Sequence, residues 1–443
     1  MQLTAPRRIR DSLTVATCSL LSLDAAQAGI LDYDSLWNVD TAVLLYSENN
    51  RVNVIEPVLQ IKKEIGEGEF VTVKFVYDTM SGSTPNGATP SSTTQTFSGP
   101  SGESTYTTAA HELPMVTFED SRVAVSFDWE RPTSRSLRSQ YNVNFSTETD
   151  YASLGASASF SWEVNNKLTT LTAGVAANLD QVSPTGGAPV ELSTIGTTAS
   201  IASNREIESE AAGETEGEDG DDGKMKTGYD LLIGVTQVLT RRTLMQWNYS
   251  FGNSSGYLTD PYKIVSVVDG NTGAPAPAPG GGFLYLHEKR PDTRSRNALY
   301  WKTVYHLPED VVHISYRYYW DDWDIKSNTV DLTYRLQLGS HFYLEPHYRY
   351  YTQTAANFFT HAIVGNTPAY ASADLRLAAL QSNTVGLRFA HQWDADASWG
   401  LGVDYMHQTG DAHPASAVGA LKNEALFSDL KALSVTADIS VKF

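Results

Sequence analysis

Four stretches in the last third of the chain put charged residues on one parity. Taken as strands near 311–321, 327–338, 341–352 and 380–392, they turn Arg317, Arg335, Arg349 and Arg388 to the same side, with Asp331, Glu345 and His347 among them. Four early stretches place Glu48, Glu56, Asp78, Asp128 and Glu130 on the equivalent side. Side by side around a closed sheet, an arginine wall opposite a carboxylate wall would set a transverse field that orders dipolar solutes and selects by charge. The same residues would serve equally as paired interior struts, and sequence alone leaves both readings open. The expected pore-lining set is Arg317, Arg335, Arg349, Arg388, Glu345, Asp331, His347, Glu56 and Asp128.

Other chemistry is weaker. Glu206–Asp222 holds nine acidic residues in seventeen and no basic one, yet lacks the ordered ligand spacing of a calcium loop, so a solvated loop is the simpler reading. Asp321, Asp322 and Asp324 surround Trp323 at a predicted turn, where capping a hairpin explains them better than cation binding. His306, His313 and His341 fall on different strands, too loosely spaced to specify a metal. There is no His-Glu-x-x-His pair or phosphate-cradling glycine loop, and no catalytic residue, metal or cofactor is expected.

The elements that must hold these residues alternate with a period of two. Leu433, Val435, Ala437, Ile439, Val441 and Phe443 interleave with Ser434, Thr436, Asp438, Ser440 and Lys442. In a strand this makes one greasy and one wet face. The pattern recurs sixteen times, near 41–48, 52–63, 70–78, 121–130, 138–147, 153–164, 168–180, 226–239, 243–252, 297–307, 311–321, 327–338, 341–352, 380–392, 398–407 and 432–443. Connections alternate too: short turns near 66–69, 165–167, 240–242, 308–310, 339–340 and 394–397 would all lie on one side, and long loops 79–120, 181–225, 253–296, 353–379 and 408–431 on the other. Outer-membrane barrels have this asymmetry and an even strand number. Trp129, Trp162, Trp301, Tyr316, Tyr318, Trp320 and Trp399 sit near strand ends, where headgroup-level aromatics belong. The expected fold is therefore all-β, a closed antiparallel transmembrane barrel of about sixteen strands at residues 29–443, with long extracellular loops and short periplasmic turns.

Composition agrees. The 443 residues carry 32 Lys+Arg against 51 Asp+Glu, a net charge of −19 that argues against nucleic acid as partner. Arg7, Arg8 and Arg10 precede an apolar run from Leu13 to Leu23 and the small-x-small Ala26-Gln27-Ala28, which reads as a signal peptide over residues 1–28. Its removal also removes Cys18, the one cysteine. Pro275–Gly282 is a low-complexity loop tip whose flanks, Lys263–Val268 and Phe283–His287, suit a hairpin extending above the membrane.

The closing Phe443 resembles the C-terminal signature read by the barrel-assembly machinery of Gram-negative bacteria. The segments 78–87 (DTMSGSTPNG) and 256–263 (GYLTDPYK), Arg290-Pro291-Asp292 with Arg294 and Arg296, 316–324 and 348–353 resemble a family of uncharacterised outer-membrane, porin-like β-barrels over most of the chain. The resemblance implies the outer membrane as location, its lipid and the assembly machinery as partners, and flavin-attachment and thioredoxin-like proteins as periplasmic or lipid-anchored redox neighbours. The function expected is passive passage of small polar solutes or ions, with a plugged barrel in a periplasmic redox or metal-handling assembly as the alternative. Monomer and homo-oligomer suit the sequence equally.

Overall fold

A computed structural model describes residues 37–98, 105–195, 223–278, 281–394 and 396–443. The predicted leader and the acidic run Glu206–Asp222 lie outside the described residues. All sixteen expected strands form. In chain order, with five short loop strands numbered among them, the barrel strands are β1 (Trp37–Glu48), β2 (Val52–Gly66), β3 (Glu69–Pro85), β6 (Met115–Ser134), β7 (Leu137–Glu148), β8 (Tyr151–Val164), β9 (Thr169–Val182), β10 (Lys224–Thr240), β11 (Thr243–Gly256), β14 (Thr293–His306), β15 (Val311–Asp321), β16 (Lys326–Leu338), β17 (Phe342–Gln353), β19 (Leu380–Gln392), β20 (Ala397–Gly410) and β21 (Leu430–Lys442). The loop strands are β4 (Gln95–Ser98), β5 (Thr105–Thr108), β12 (Ile264–Val268), β13 (Tyr285–His287) and β18 (Ala362–Val364).

Each barrel strand pairs antiparallel with its neighbours in chain order, and β1 closes on β21 from Asn38↔Lys442 to Glu48↔Ala432. Closure leaves no edge of unpaired backbone groups, which a sheet in hydrocarbon could not tolerate. The outer wall is apolar: Val123, Val125 and Phe127 on β6, Val143 and Phe145 on β7, and Val385 and Leu387 on β19 all stand exposed. Such a band is costly in water and favourable against acyl chains. Aromatic clusters mark its rims. Trp129, Tyr141, Phe160 and Trp162 pack in a chain at the turn end of β6–β8, and Phe342, Phe389 and Trp399 gather at the turn end of β17–β20.

The strands run on past this band. β6 has 20 residues and β3 has 17, against the roughly 9–11 a tilted crossing needs. The loops are correspondingly shorter than expected: the first long one runs over 86–114 rather than 79–120, and the third over 257–292 rather than 253–296. Alternation of greasy and wet residues stops at the headgroups, whereas backbone pairing continues into water.

Above the barrel the described parts of all five long loops join in one cap. The hairpin expected around Pro275–Gly282 forms, Ile264↔His287 to Ser266↔Tyr285, and is built into that cap. Its strand β12 also pairs parallel with β18, and Val265 is fully buried with Leu286, Ile363, Ala371 and Ala373. Ala88, Phe97, Ile264 and Tyr285 form a second apolar cluster, and Val268, Ala417, Leu421 and Leu426 a third. Gly87, at φ +104°, lies so close to β12 that a Cβ would collide with the Ile264 carbonyl. The molecule is thus inside out along the barrel, with apolar cores in its lid.

Candidate lumenal cavity and its ionic ceiling

Beneath the cap a cavity of about 1840 Å³ runs inside the barrel, from Tyr257, Asp260, Arg290 and Arg376 at the loop end to His306, Val311, Gln392 and Lys442 at the turn end. It lies against the β10–β20 side of the wall. Register sets its lining in rows. Tyr300, Arg317, Thr329 and Tyr351 are successive cross-strand partners on β14 to β17, and Lys302, Ser315, Asp331 and Arg349 form the next row toward the turns. Odd residues of β15, β16 and β17 and even residues of β14 face the lumen together, because register shifts of one would turn every side chain over.

Of the residues expected to line a pore, Arg317, Asp331, Arg335, Glu345 and Arg349 line this cavity. His347, Arg388, Glu56 and Asp128 belong to charged contacts elsewhere on the inner wall. His347 bridges Asp331 and Asp404 at 3.0 and 2.9 Å. Arg388 reaches over β20 to Asp438 with two bonds of 2.6 and 2.9 Å, a path open because Gly400 carries no side chain where the guanidinium crosses. Glu56 lies 4.0 Å from Arg122, which binds Asp78 more closely at 2.6 Å, and Asp128 accepts a long bond from Gln140 at 3.5 Å.

Of the two readings the sequence leaves open, these ion pairs follow the paired struts. Arg349 meets Asp331 at 3.0 Å and Arg335 meets Glu345 at 3.5 Å on the adjacent strand. Across the barrel Lys62 and Arg138 both approach Glu130. Each supposed wall holds both signs, since opposite charges one strand apart gain more from pairing than from facing each other across water. Even so, the cavity lining keeps ten Lys and Arg against five Asp and Glu among the described residues, in a chain whose net charge is −19.

The ceiling is an ionic lattice that joins the cap to the barrel. Glu288 is fully buried; its Oε1 accepts the Asp260 amide at 2.7 Å and lies 2.6 Å from Arg290 Nε, while its Oε2 accepts the Ser372 hydroxyl at 2.5 Å. Asp374 receives Arg290 at 2.9 Å and the guanidinium of Arg376, which also reaches Asp260 at 2.8 Å. Lys263 donates to the Pro85 carbonyl at the end of β3. Three cations and three carboxylates from the segments after β11, before β14 and before β19 so neutralise one another out of water. Burial pushes the Glu288 carboxyl up to about 6. Burial acts the same way on Asp374, but Arg376, Arg290 and Lys263 outweigh it and hold that carboxyl well below the usual range. Burial pushes the Lys263 ammonium down.

Sequence reasoning missed this lattice. Asp260, Lys263 and Arg290 lie in segments that carried the family resemblance, but no spacing pointed to Asp374 or Arg376, which sit in a stretch read as loop. Asp321, by contrast, acts as the hairpin cap expected: its carboxylate accepts the Trp323 and Ile325 amides at 3.1 and 2.9 Å and binds Arg294 at 2.6 Å. Among the described residues no three His, Cys, Asp or Glu side chains stand close enough to hold a metal ion.

The closed ring, the lipid-facing band and its aromatic rims place the chain in the bacterial outer membrane. Solved barrels resemble it at low identity. A bacterial polysaccharide outer membrane secretin is 8% identical with a TM-score of 0.42, covering 92% of this chain and 98% of its own. The Pseudomonas putida toluene transporter TodX is 10% identical with a TM-score of 0.38, covering 96% and 93%. The outer membrane protein opdK from Pseudomonas aeruginosa is 7% identical with a TM-score of 0.38, covering 93% and 100%. No curated protein matches the chain. The model of the family DUF3570, described as a protein of unknown function, matches residues 10–443, and the chain belongs to that family.

Proposed function

We propose that this outer-membrane barrel is a passage for small polar solutes or ions, in which the cap sets the entrance and the paired charges of the inner wall keep the lumen wet and rigid. The carrying observation is the cavity, lined among the described residues by ten Lys and Arg and five Asp and Glu, that spans from the cap residues Tyr257 and Arg376 to the turn-end residues His306 and Lys442. A barrel of this strand number holds a water-filled interior unless side chains or loops fill it, and half-buried pairs such as Arg388–Asp438 line its wall instead of crossing its bore.

Purified protein in planar bilayers should give discrete conductance steps, and proteoliposomes should swell in small sugars or salts. Steady silence in both would overturn the reading. The cored cap favours one other reading, a plugged barrel that serves as the outer-membrane part of a periplasmic assembly, redox or metal-handling in kind. That reading expects silent bilayers together with a stable periplasmic or lipid-anchored partner on crosslinking.

A further inference from the structure

Seven arginines line the cavity. Six of them have a carboxylate within 4.0 Å: Arg290, Arg294, Arg296, Arg335, Arg349 and Arg376. Arg317 is the exception among the described residues. It stands near the middle of β15, opposite Tyr300 on β14 and Thr329 on β16. Its guanidinium lies 6.0 Å from the centre of the Tyr319 ring, Tyr300 and Tyr351 share its cross-strand row, and the charge nearest to it in effect is the like one of Arg349. The nearest carboxylate along β16, Asp331, is already held by Arg349 and His347.

A half-buried guanidinium with no counter-charge is costly, and this wall supplies a partner to every other lumenal arginine. Two of the three phenols are already committed. Tyr319 donates its hydroxyl to Asp321 at 2.7 Å and Tyr351 donates to Gln353 at 2.6 Å, so both are neutral phenols that bring Arg317 no counter-charge. What remains is a fork of N–H donors set among aromatic walls. The fork matches the two oxygens of a carboxylate, and the rings suit an apolar body attached to it.

We propose that Arg317 is the central binding residue of a site for small organic carboxylates, which supply the counter-charge the barrel wall withholds. The site deepens the passage reading by naming the class of solute, and rests on it for how the solute arrives. With Arg349 and Lys302 one row nearer the turns, the local field favours anions over neutral analogues of the same shape.

The test is calorimetric titration of the detergent-solubilised full chain with benzoate, with benzyl alcohol as the neutral control. Benzoate should bind saturably and benzyl alcohol should not. Arg317→Gln should weaken benzoate at least tenfold, whereas Arg317→Lys should weaken it less. Thr329→Asp, which places a carboxylate directly opposite Arg317 and leaves the arginine in place, should also abolish binding, so the proposal does not depend on one variant folding. Equal affinity for benzoate and benzyl alcohol, or benzoate binding unchanged in Thr329→Asp, would overturn it. Conductance is recorded separately: benzoate binding with silent bilayers removes the passage reading alone, and conductance without benzoate binding removes the carboxylate site alone.

Discussion

Single residues decide whether the cap stays seated. Asp374, itself buried, takes up two arginines at once, and replacing it with Asn would leave Arg290 and Arg376 sharing Asp260 and Glu288. Removing one member of a buried ionic set costs about 3–5 kcal/mol, so Asp374→Asn should expose β12 and β13 to amide hydrogen exchange while the barrel strands stay protected. Glu288 gives the lattice a pH dependence of definite sign. Its carboxyl titrates near 6 in the folded cap against an ordinary value of 4.5, so the stability it contributes is full below 4.5 and is lost as pH rises through 6. Asp374 works oppositely: its pairing is intact above the usual carboxylate range and is lost as pH falls below it. Exchange at β12 should therefore be slower at pH 5 than at pH 7.5 after correction for intrinsic rates, and Glu288→Gln should remove that difference.

At the scale of elements, the cap is assembled from the described parts of five separate loops. Its packing depends on close backbone approach, as where Gly87 passes the Ile264 carbonyl. Gly87→Ala meets both that collision and a positive φ, so it should free the 86–114 loop from β12 while the register of the barrel stays intact. If the loop forms part of the entrance, conductance should rise severalfold over the parent protein. An unchanged conductance would place the entrance elsewhere in the cap. The glycine at Gly400 plays a different part, since it clears a lane over β20 through which Arg388 ties β19 to β21 next to the closing seam.

The whole molecule rests on the contrast between its two faces. Val125 stands in the middle of the lipid-facing band with Phe75 and Phe145 as its cross-strand neighbours. An arginine there would meet acyl chains, at a cost of roughly 2–4 kcal/mol near the bilayer midplane. Val125→Arg should lower stability by that order in reversible folding into lipid vesicles, whereas Ser126→Arg on the lumenal parity should cost much less. Equal losses at the two positions would mean that the outer face does not meet lipid.

Much of this architecture was legible beforehand. All sixteen strands, the antiparallel closure and the sidedness of the loops follow from a period-two pattern, because a sheet with one greasy face has few ways to satisfy its backbone. The lumenal parity of Arg317, Asp331, Arg335 and Arg349 followed from the same rule, since it asks only which way a side chain points. Partner choice did not follow. Arg388 meets Asp438 two strands away, and Asp374 meets Arg290 from a different loop, so these contacts depend on distances that no local pattern encodes. The sequence by itself determined the wall, whose form is dictated by residue-by-residue alternation. Only the tertiary structure decided the lid, the pairing of the lumenal charges and the isolation of Arg317, because each arises from segments that meet in space after the barrel has closed.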